Sequence, residues 1–415
     1  MEEQLINSLK KNLNWFLKSG IMRPNDGFWG VAERIVSGVE GEALEKINQS
    51  FPCQTKLSDD KVILEHRRAD CCFEVALMFD LASEFFNDSS YKKVTKNILS
   101  FLLERSGMRD SDEKSETYGL WEWAMPKSPA YWTDDNSWVI ICLLFLADRG
   151  YGVDLRKKAY LAASKMSEYV KILLDHVNQN GKDIPLDSKF EKMLGMRLNP
   201  HWLGLSTMAL ALTDKAAGKN DYHELISRYY SIVLDGPPSW DKESCVKGDK
   251  GFDWSVSEYC YLAMTGAVSA MVYEDKSIGD IAIHAGNILL AKQHDDGHFA
   301  SNHYEAPEGE QYADMIYTQN WATLALQHLA LYFPDEISYM EAFKKSALFL
   351  TGIQDESSEK VFDGCWRGMY DCELKDWGGG DKYEGGQGSI YSGWTNAPIS
   401  IAFLFELMGK NFLQA

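Results

Sequence analysis

A seven-residue segment near position 135 carries side chains suited to acid–base chemistry. Residues 132–138 read Trp-Thr-Asp-Asp-Asn-Ser-Trp, so two consecutive carboxyl groups, Asp134 and Asp135, stand between two indoles. Cleavage of a glycosidic bond needs one carboxyl group that is protonated and a second that is ionised. Adjacent carboxylates raise one another's pKa by like-charge repulsion, which favours such a pair. The alternative is structural: Thr133 or Asp134 caps a helix, and Asp135 interacts with the helix dipole.

A further carboxylate from another part of the chain is expected at this site. Consecutive residues on a helix point about 100° apart, so Asp134 and Asp135 need not face the same bond. The candidates for the partner, in order of preference, are Glu258, Asp70, Asp314 and Glu33. We predict catalytic roles for Asp134, Asp135, Glu258 and Asp70.

Aromatic and basic residues complete a pocket that suits a sugar. Indoles stack on the C–H faces of a pyranose, while carboxylates and guanidinium groups bind its hydroxyls. Most of the 13 tryptophans fall in connections or at predicted helix starts. Each of them alone is more ordinary as a packing residue, and it is the collection that favours a pocket. We predict substrate-binding roles for Arg67, Arg68, Trp132, His201, Trp202, Trp254, Asp314, Tyr317, Arg367 and Trp394.

The arginines bear on the class of substrate. Arg34, Arg67, Arg68 and Arg367 could bind the carboxylate of a uronate in the bidentate manner of guanidinium groups. Surface salt bridges with some of the 61 acidic residues are the alternative.

Helices must position these residues, because apolar side chains recur with helical spacing along most of the chain. The pattern predicts helices near 3–19, 65–86, 90–106, 134–149, 155–177, 201–217, 220–234, 254–272, 277–292, 312–332, 337–354 and 389–408, and no convincing strand. Short and long connections alternate between them. The helices that follow long connections are apolar nearly all round, as in 138–147, whereas segment 90–106 has one apolar stripe. Six enclosed helices therefore alternate with six half-exposed ones.

This alternation predicts an all-α fold, an (α/α)6 toroid in which six helical hairpins close into a ring. The chain resembles the (α/α)6 enzymes, which include glycoside hydrolases, polysaccharide lyases and sugar epimerases. That resemblance implies an active site where the inner helices begin. An open α-solenoid is the alternative architecture. No segment rich in proline and serine, block of like charges or low-complexity stretch divides the sequence, so we predict a single catalytic domain over residues 1–415.

Two narrower resemblances concern the reaction. Residues 132–138 resemble a segment of glycoside hydrolase family 76, the endo-α-1,6-mannanases, in which paired aspartates at an inner-helix start are the catalytic carboxylates. The chain is also similar in outline to the unsaturated glucuronyl hydrolases, which makes a uronate-containing substrate an open alternative. His201 could instead act as an acid or base, as in toroids of the N-acylglucosamine 2-epimerase type.

Composition excludes several other classes. Lys and Arg number 42 against 61 Asp and Glu, a formal charge of −19, which repels nucleic acids and anionic lipid surfaces. The longest wholly apolar run, 138–147, is about half of the ~20 residues needed to span a bilayer. The first residues lack the pattern of a signal peptide, and the eight cysteines contain no C-x-x-C pair. We therefore expect no nucleic-acid or membrane partner, reduced cysteines and a cytoplasmic location.

No cofactor or metal is predicted. His294, His298 and His303 lie near Asp295 and Asp296, but their spacing matches no standard set of ligands.

The function predicted from these features is hydrolysis of oligosaccharides by a monomer or homodimer, through carboxylate acid–base catalysis. Two alternatives stay open. One is an isomerase, epimerase or lyase on the same fold, with His201 or Tyr317 as base, and the other is a glycan-binding protein without catalysis.

Overall fold

The computed structural model describes residues 1–126, 128–195, 197–241, 245–248, 251–300, 309–379 and 386–414. Its α-helices are Glu2–Lys18 (α1), Gly41–Ser50 (α2), Ala69–Phe86 (α3), Ser89–Ser100 (α4), Thr133–Leu146 (α5), Val153–Asn180 (α6), Ser188–Leu194 (α7), Leu205–Ala217 (α8), His223–Val233 (α9), Val256–Tyr273 (α10), Lys276–Lys292 (α11), Gln319–Tyr332 (α12), Ile337–Ile353 (α13) and Ala397–Met408 (α14). Its strands are Arg34–Ser37 (β1), Gln54–Lys56 (β2), Lys61–Leu64 (β3), Arg67–Arg68 (β4), Ala124–Met125 (β5), Cys245–Gly248 (β6), Gly251–Trp254 (β7), Tyr312–Asp314 (β8), Met369–Asp371 (β9), Asp376–Trp377 (β10) and Ser389–Tyr391 (β11).

Six of the helices form a closed inner ring. Helices α3, α5, α8, α10, α12 and α14 pack each against the next, and α14 packs against α3 to complete the circle. Each inner helix has an outer partner: α4, α6, α9, α11 and α13 follow their inner helices in the chain, and α1 packs against α14. This is the predicted (α/α)6 toroid, and the long connections meet at the end where the inner helices begin.

The sequence of each helix matches its layer. Every residue of α5 is buried. From 138 to 146 the helix is apolar all round and has no polar face to present to water, whereas the buried residues 133–137 are polar. Outer helix α4 buries Val94, Thr95, Ile98 and Leu99 and exposes the opposite face. The turn between α3 and α4 is short because Asn87 adopts a left-handed conformation at φ 52° and Asp88 caps the next helix through the backbone N–H of Ser90.

The prediction that strands are absent was wrong. Short antiparallel strands, each of two to four residues, form four small sheets in the long connections, with the orders β11-β1-β3-β2, β10-β9-β8, β4-β5 and β6-β7. Stretches this short show too few alternations to be recognised by period-two patterning. They matter for function because they hold the connections in register above the ring.

Several predicted helix starts were also too early. Helices expected at 65 and 312 begin at Ala69 and Gln319, because Arg67–Arg68 and Tyr312–Asp314 are strands. Helices expected at 201 and 389 begin with wider π-type turns, Pro200–Gly204 and Ser392–Asn396. Helices α2 and α7 lie in connections in which the sequence predicted none.

The interior of the ring is filled by aromatic side chains. Phe412, from the turn after α14, is buried and stacks on His328 at a centroid distance of 5.0 Å. Trp138 stacks on Trp321 at 5.4 Å and also contacts Phe412. All eight cysteines are free thiols. Among the described residues, no helix combines the length and apolar character that a membrane span requires.

Candidate active site

A buried arginine organises the carboxyl groups at the start of α3 and α5. Arg68 ends strand β4, and its Nε and Nη2 donate to the two oxygens of Asp70 at 3.1 and 2.7 Å. Nη2 also contacts Asp135 Oδ1, and Nη1 lies 3.3 Å from Glu33 Oε1. The guanidinium carbon lies 5.1 Å from the ring centre of Trp394. One cation thus holds three carboxyl groups from three segments together.

Asp70 and Asp135 form a buried carboxyl pair whose pKa values are shifted in opposite directions. Burial raises the pKa of Asp135 well above its usual value, and the charges of Asp70 and Asp134 raise it further. Burial acts on Asp70 in the same direction, but the charge of Arg68 together with the hydrogen bonds from Arg68, Asp135 and Trp394 outweighs it, so the pKa of Asp70 is lowered. A hydrogen bond between two carboxyl groups needs a proton on one of them. The directions of the two shifts favour Asp135 as the protonated member of the pair.

Trp394 joins the last inner helix to this pair. Its indole N–H donates to Asp70 Oδ2 at 2.6 Å, and its backbone N–H donates to Glu74 Oε2 at 2.9 Å. The backbone of Trp394 has φ 48°, which is rare for a bulky residue. Gly393 permits the close approach, because a Cβ there would lie 2.6 Å from the Cα of Cys71. Such strain is often retained at functional sites.

Asp134 faces the start of α8, the inner helix that packs against α5 on the side away from α3. Its Oδ2 lies 3.3 Å from Nε2 of His201, in the turn that leads into α8. The His201 ring stacks on Tyr261 at 4.7 Å and contacts the edge of Trp394 at 5.1 Å. Asp134 Oδ1 is buried and has no hydrogen-bond partner among the described residues. A carboxylate oxygen in this state is suited to bind a hydroxyl or a water molecule.

Glu258 lies behind His201. Its oxygens accept hydrogen bonds from Nδ2 of Asn199 and from the backbone N–H of His201, both at 2.8 Å. Burial raises the pKa of Glu258 to about 7, although His201 and these two donors act in the opposite direction. Glu258 therefore fixes the backbone of the turn that carries His201.

Three partly exposed tryptophans form a wall beside the polar cluster. Trp123 stacks on Trp132 at 5.0 Å with an interplanar angle of 17°, and Trp132 contacts Trp202 at 5.5 Å. Arg68 lies 5.6 Å from the ring centre of Trp123. The wall therefore borders the carboxyl cluster directly.

A cavity of about 280 Å³ opens on the far side of Trp123. Its lining is mostly apolar and includes Phe51, Pro52, His66, Trp123, Pro126 and Pro129. Nδ1 of His66 and Nε1 of Trp123 are buried there without a partner among the described residues.

The structure brings together nine of the fourteen residues that the sequence singled out. They are Arg68, Asp70, Trp132, Asp134, Asp135, His201, Trp202, Glu258 and Trp394. Glu33, which the sequence considered as an alternative carboxylate, joins them through Arg68.

The other five residues have different surroundings. Arg67 points away from Arg68 and binds Glu65 and the backbone carbonyl of Trp29. The indole of Trp254 donates to the carbonyl of Val233 at the end of α9 and is buried. Arg367 binds Asp355 and lies over the ring of Phe362. Asp314 accepts the backbone N–H groups of Ile316 and Tyr317, which shapes the turn before α12.

Sequence reasoning missed three residues that support the site: Glu74, Asn199 and Tyr261. Glu74 has a detectable signal, because it follows Asp70 by four residues and so lies on the same face of α3. Tyr261 likewise follows Glu258 by three residues. Asn199 lies outside any helix and has no comparable signal.

Three solved structures with the same fold are named as enzymes that act on sugars. A sugar epimerase from a ruminal bacterium has a TM-score of 0.64 at 10% identity, covering 99% of both chains. A D-mannose isomerase has a TM-score of 0.60 at 11% identity, covering 99% of this chain and 98% of the other. An unsaturated glucuronyl hydrolase from Bacillus sp. GL1 has a TM-score of 0.57 at 13% identity, covering 99% and 97%. At these identities the likeness shows the fold alone.

Sequence comparison adds no closer relative. No protein-family model matches this chain, and no curated protein matches it either. The resemblance of residues 132–138 to the family 76 mannanases is not confirmed by these comparisons.

Proposed function

We propose that this protein hydrolyses a glycosidic bond of an oligosaccharide, with Asp135 as proton donor and Asp134 as the base that activates water. The observation that carries the proposal is the buried carboxyl pair of Asp70 and Asp135, held by Arg68, in which burial and the neighbouring carboxylates raise the pKa of Asp135 well above its usual value. A general acid that stays protonated near neutral pH is what departure of a sugar alkoxide requires.

The positions of the carboxyl groups indicate a different role for each of them. Asp70 is hydrogen-bonded to Asp135, so these two are too close to stand on opposite sides of a scissile bond, which needs about 5–9.5 Å. Asp70 therefore acts as the group that positions the proton of Asp135. Asp134 points toward α8 instead and has the unpartnered oxygen, which suits the second catalytic role.

The arginines near the site are already paired with carboxylates of the protein, which favours a neutral sugar over a uronate as substrate. Four of the five N–H groups of Arg68 are directed at Glu33, Asp70 and Asp135. Arg67 and Arg367 are paired with Glu65 and Asp355. Bidentate capture of a substrate carboxylate would require one of these guanidinium groups to leave a buried or half-buried carboxylate uncompensated. Indoles and carboxylates, by contrast, suit the C–H faces and hydroxyls of neutral pyranoses.

Known proteins of this fold support a sugar substrate without choosing the reaction. One of the solved neighbours is a glucuronyl hydrolase named as responsible for the degradation of glycosaminoglycan, and others are named as a sugar epimerase and a D-mannose isomerase.

The test is product analysis with a panel of neutral and uronate-containing oligosaccharides. We expect new reducing ends from a neutral member of the panel. Asp134→Asn and Asp135→Asn should each lower the rate by about 10²–10⁴-fold, the usual contribution of a positioned acid or base. Asp59→Asn is the matched control, because Asp59 is fully exposed in the β2–β3 turn. Undiminished turnover in both active-site variants would overturn the assignment, and binding without turnover would indicate a glycan-binding protein.

A second candidate function rests on His201. Its Nε2 lies 3.3 Å from Asp134 Oδ2, so the carboxylate could hold the imidazole as a base that removes a proton next to a sugar carbonyl. An isomerase or epimerase would incorporate deuterium from heavy water into the sugar without creating new reducing ends. That result, lost in His201→Gln, would replace the hydrolase proposal.

A further inference from the structure

Three potential metal ligands meet outside the carboxyl cluster. Asp296, His298 and Cys372 each offer one donor atom, and these atoms all lie within 4.8 Å of one another. Asp296 and His298 belong to the turn after α11, whereas Cys372 follows strand β9, more than seventy residues later. His303, which the sequence grouped with His294 and His298, lies outside the described residues.

The hydrogen bonds of His298 leave its Nδ1 facing a carboxylate oxygen, an arrangement that a cation would stabilise. Nε2 of His298 lies 2.9 Å from the backbone carbonyl of Glu310, which can only accept, so Nε2 carries a hydrogen. In the neutral ring Nδ1 then has a lone pair, and this lone pair faces Asp296 Oδ1 at 2.6 Å. Two acceptors at this distance need a proton or a metal ion between them. The structure thus offers two states for His298: an imidazolium paired with Asp296, or a metal ligand.

The presence of Cys372 beside this pair favours the second state, in which His298 is a metal ligand. A thiol adds nothing to an imidazolium–carboxylate pair, whereas thiolate, imidazole and carboxylate are together the usual donors for zinc. The carbonyl of Glu310 also takes the second-shell position, because metal-ligating histidines almost always donate their other N–H to a carbonyl or carboxylate. His298 is almost fully buried, and Asp296 is half exposed, which gives an ion access from solvent.

We propose that Asp296, Nδ1 of His298 and Cys372 bind one zinc ion, which ties the turn after α11 to the sheet β10-β9-β8. Zinc–donor bonds of about 2.0–2.3 Å set donors of one ion roughly 3–4 Å apart. Side-chain adjustments therefore open the contact between Asp296 and His298 and bring Cys372 closer. Binding transfers the thiol proton of Cys372 to solvent and forms the zinc–sulfur bond. A water molecule completes a tetrahedral site.

The site is already braced by backbone contacts. Ala300 forms an isolated bridge with Ala313, and Gln293 does so with Phe299. His294 stacks on His298 at 4.0 Å. Zinc would add a covalent-like link between this turn and β9, at the end of the toroid that holds the carboxyl cluster. These three ligands do not belong to the proposed acid–base residues, and the fourth position on the ion is open to water.

The experiment is metal titration of chelator-treated protein with Zn²⁺ and with Co²⁺. We expect one equivalent of Zn²⁺ to bind and raise the thermal midpoint, and Co²⁺ to give a cobalt–thiolate charge-transfer band in the near ultraviolet. Cys372→Ser should abolish the band, and His298→Gln should abolish stoichiometric uptake. Cys53→Ser and His284→Gln are matched controls, since Cys53 and His284 are exposed.

Two results would overturn the site. One is the absence of stoichiometric uptake, which would leave the imidazolium–carboxylate pair as the state of His298. The other is a thiolate band that persists in Cys372→Ser or disappears in Cys53→Ser. Circular dichroism of each variant verifies that the fold is intact. Asp296→Asn, at a half-exposed position, provides a second ligand variant with little risk to folding. None of these readouts depends on enzymatic activity.

Discussion

The indole N–H of Trp394 donates to Asp70 Oδ2 at 2.6 Å, across 324 positions of the chain. Asp70 lies in the first turn of α3 and Trp394 in the turn before α14, so this bond spans the point where the ring closes. Closure of the toroid and assembly of the carboxyl pair are therefore coupled. A chain that failed to dock α14 would lose a donor that keeps Asp70 ionised.

Trp394→Phe should lower activity by more than its loss of stability explains. The substitution removes the indole N–H but keeps an aromatic ring, so the buried oxygen of Asp70 loses a partner at a cost of about 1–3 kcal/mol. The pKa of Asp70 should rise, and Asp70 should then compete with Asp135 for the shared proton. Urea unfolding and initial rates on the same preparation would measure both effects.

Trp15→Phe is the matched control for that variant. Trp15 is a buried residue of outer helix α1, and its indole donates a partly buried hydrogen bond to the carbonyl of Val361 at 2.7 Å. We expect a comparable loss of stability with unchanged activity. Equal losses of activity in the two variants would mean that Trp394 acts only through the fold.

Arg68 and Arg67 offer a comparison between neighbours. Arg68→Met should destabilise the protein by about 3–5 kcal/mol, because it leaves buried carboxyl groups without their cation, and it should abolish activity. Arg67→Met removes a pair with Glu65 on the other face of β4 and should leave kcat unchanged. Arg68→Lys keeps the charge and should recover part of the stability. A fall in kcat for Arg67→Met equal to that for Arg68→Met would contradict this division.

The difference between these arginines marks where sequence reasoning reached its limit. The helical period is a property of long segments, so the twelve helices and their alternation were readable, and with them the ring. Two-residue strand β4 is too short for such a signal, and it is this strand that turns Arg67 and Arg68 to opposite faces. A helix assumed to start at 65 could not separate them.

The carboxyl cluster shows the same division between local and distant information. The paired aspartates of α5 stood out because they are consecutive, and their divergent directions followed from helix geometry. The sequence did not predict which side chains contact each aspartate: Asp135 contacts Asp70 and Arg68, whereas Asp134 lies beside His201. Those contacts depend on how inner helices that are far apart in the chain are set around the ring. Trp254 illustrates the converse, since a tryptophan near an inner-helix start turned outward to pack against α9.

Glu258 should make stability depend on pH in a defined window. Its pKa in the folded protein is about 7, against 4.5 for the unperturbed group. Between these values the folded state binds the proton and the unfolded state does not, so the free energy of unfolding falls as pH rises. The loss is complete above about pH 7 and amounts to about 3 kcal/mol at 1.36 kcal/mol per pKa unit.

Urea unfolding from pH 4 to 8 would measure this contribution. In Glu258→Gln the decline between pH 4.5 and 7 should be smaller than in the unmodified protein, although loss of one accepted hydrogen bond lowers stability at every pH. Glu3→Gln, at an exposed position on α1, should retain the full decline. Parallel pH profiles for the unmodified protein and Glu258→Gln would show that Glu258 does not retain its proton.

The tryptophan wall should contribute to substrate binding and not to the chemical step. Trp132→Ala removes the central ring of the wall, which stacks on Trp123 and contacts Trp202 at a tilt. Aromatic contacts contribute about 0.5–1.5 kcal/mol beyond buried area, so we expect KM to rise up to about tenfold with kcat little changed. Trp132→Phe should restore most of the affinity. A fall in kcat with unchanged KM would mean instead that Trp132 positions the catalytic residues Asp134 and Asp135.

Phe412→Ala should destabilise the ring without changing its active end. Phe412 is fully buried and contacts His328, Trp138, Phe145 and Phe405 from the turn after α14. Its removal leaves a cavity among inner helices α5, α12 and α14, and such substitutions cost about 3–5 kcal/mol. Urea unfolding would give this loss, with Phe333→Ala as the exposed control. Because Phe412 contacts other rings of the interior and not the carboxyl cluster, kcat measured well below the melting temperature should be unchanged. A loss of stability under 1 kcal/mol would mean that the neighbouring rings collapse into the space.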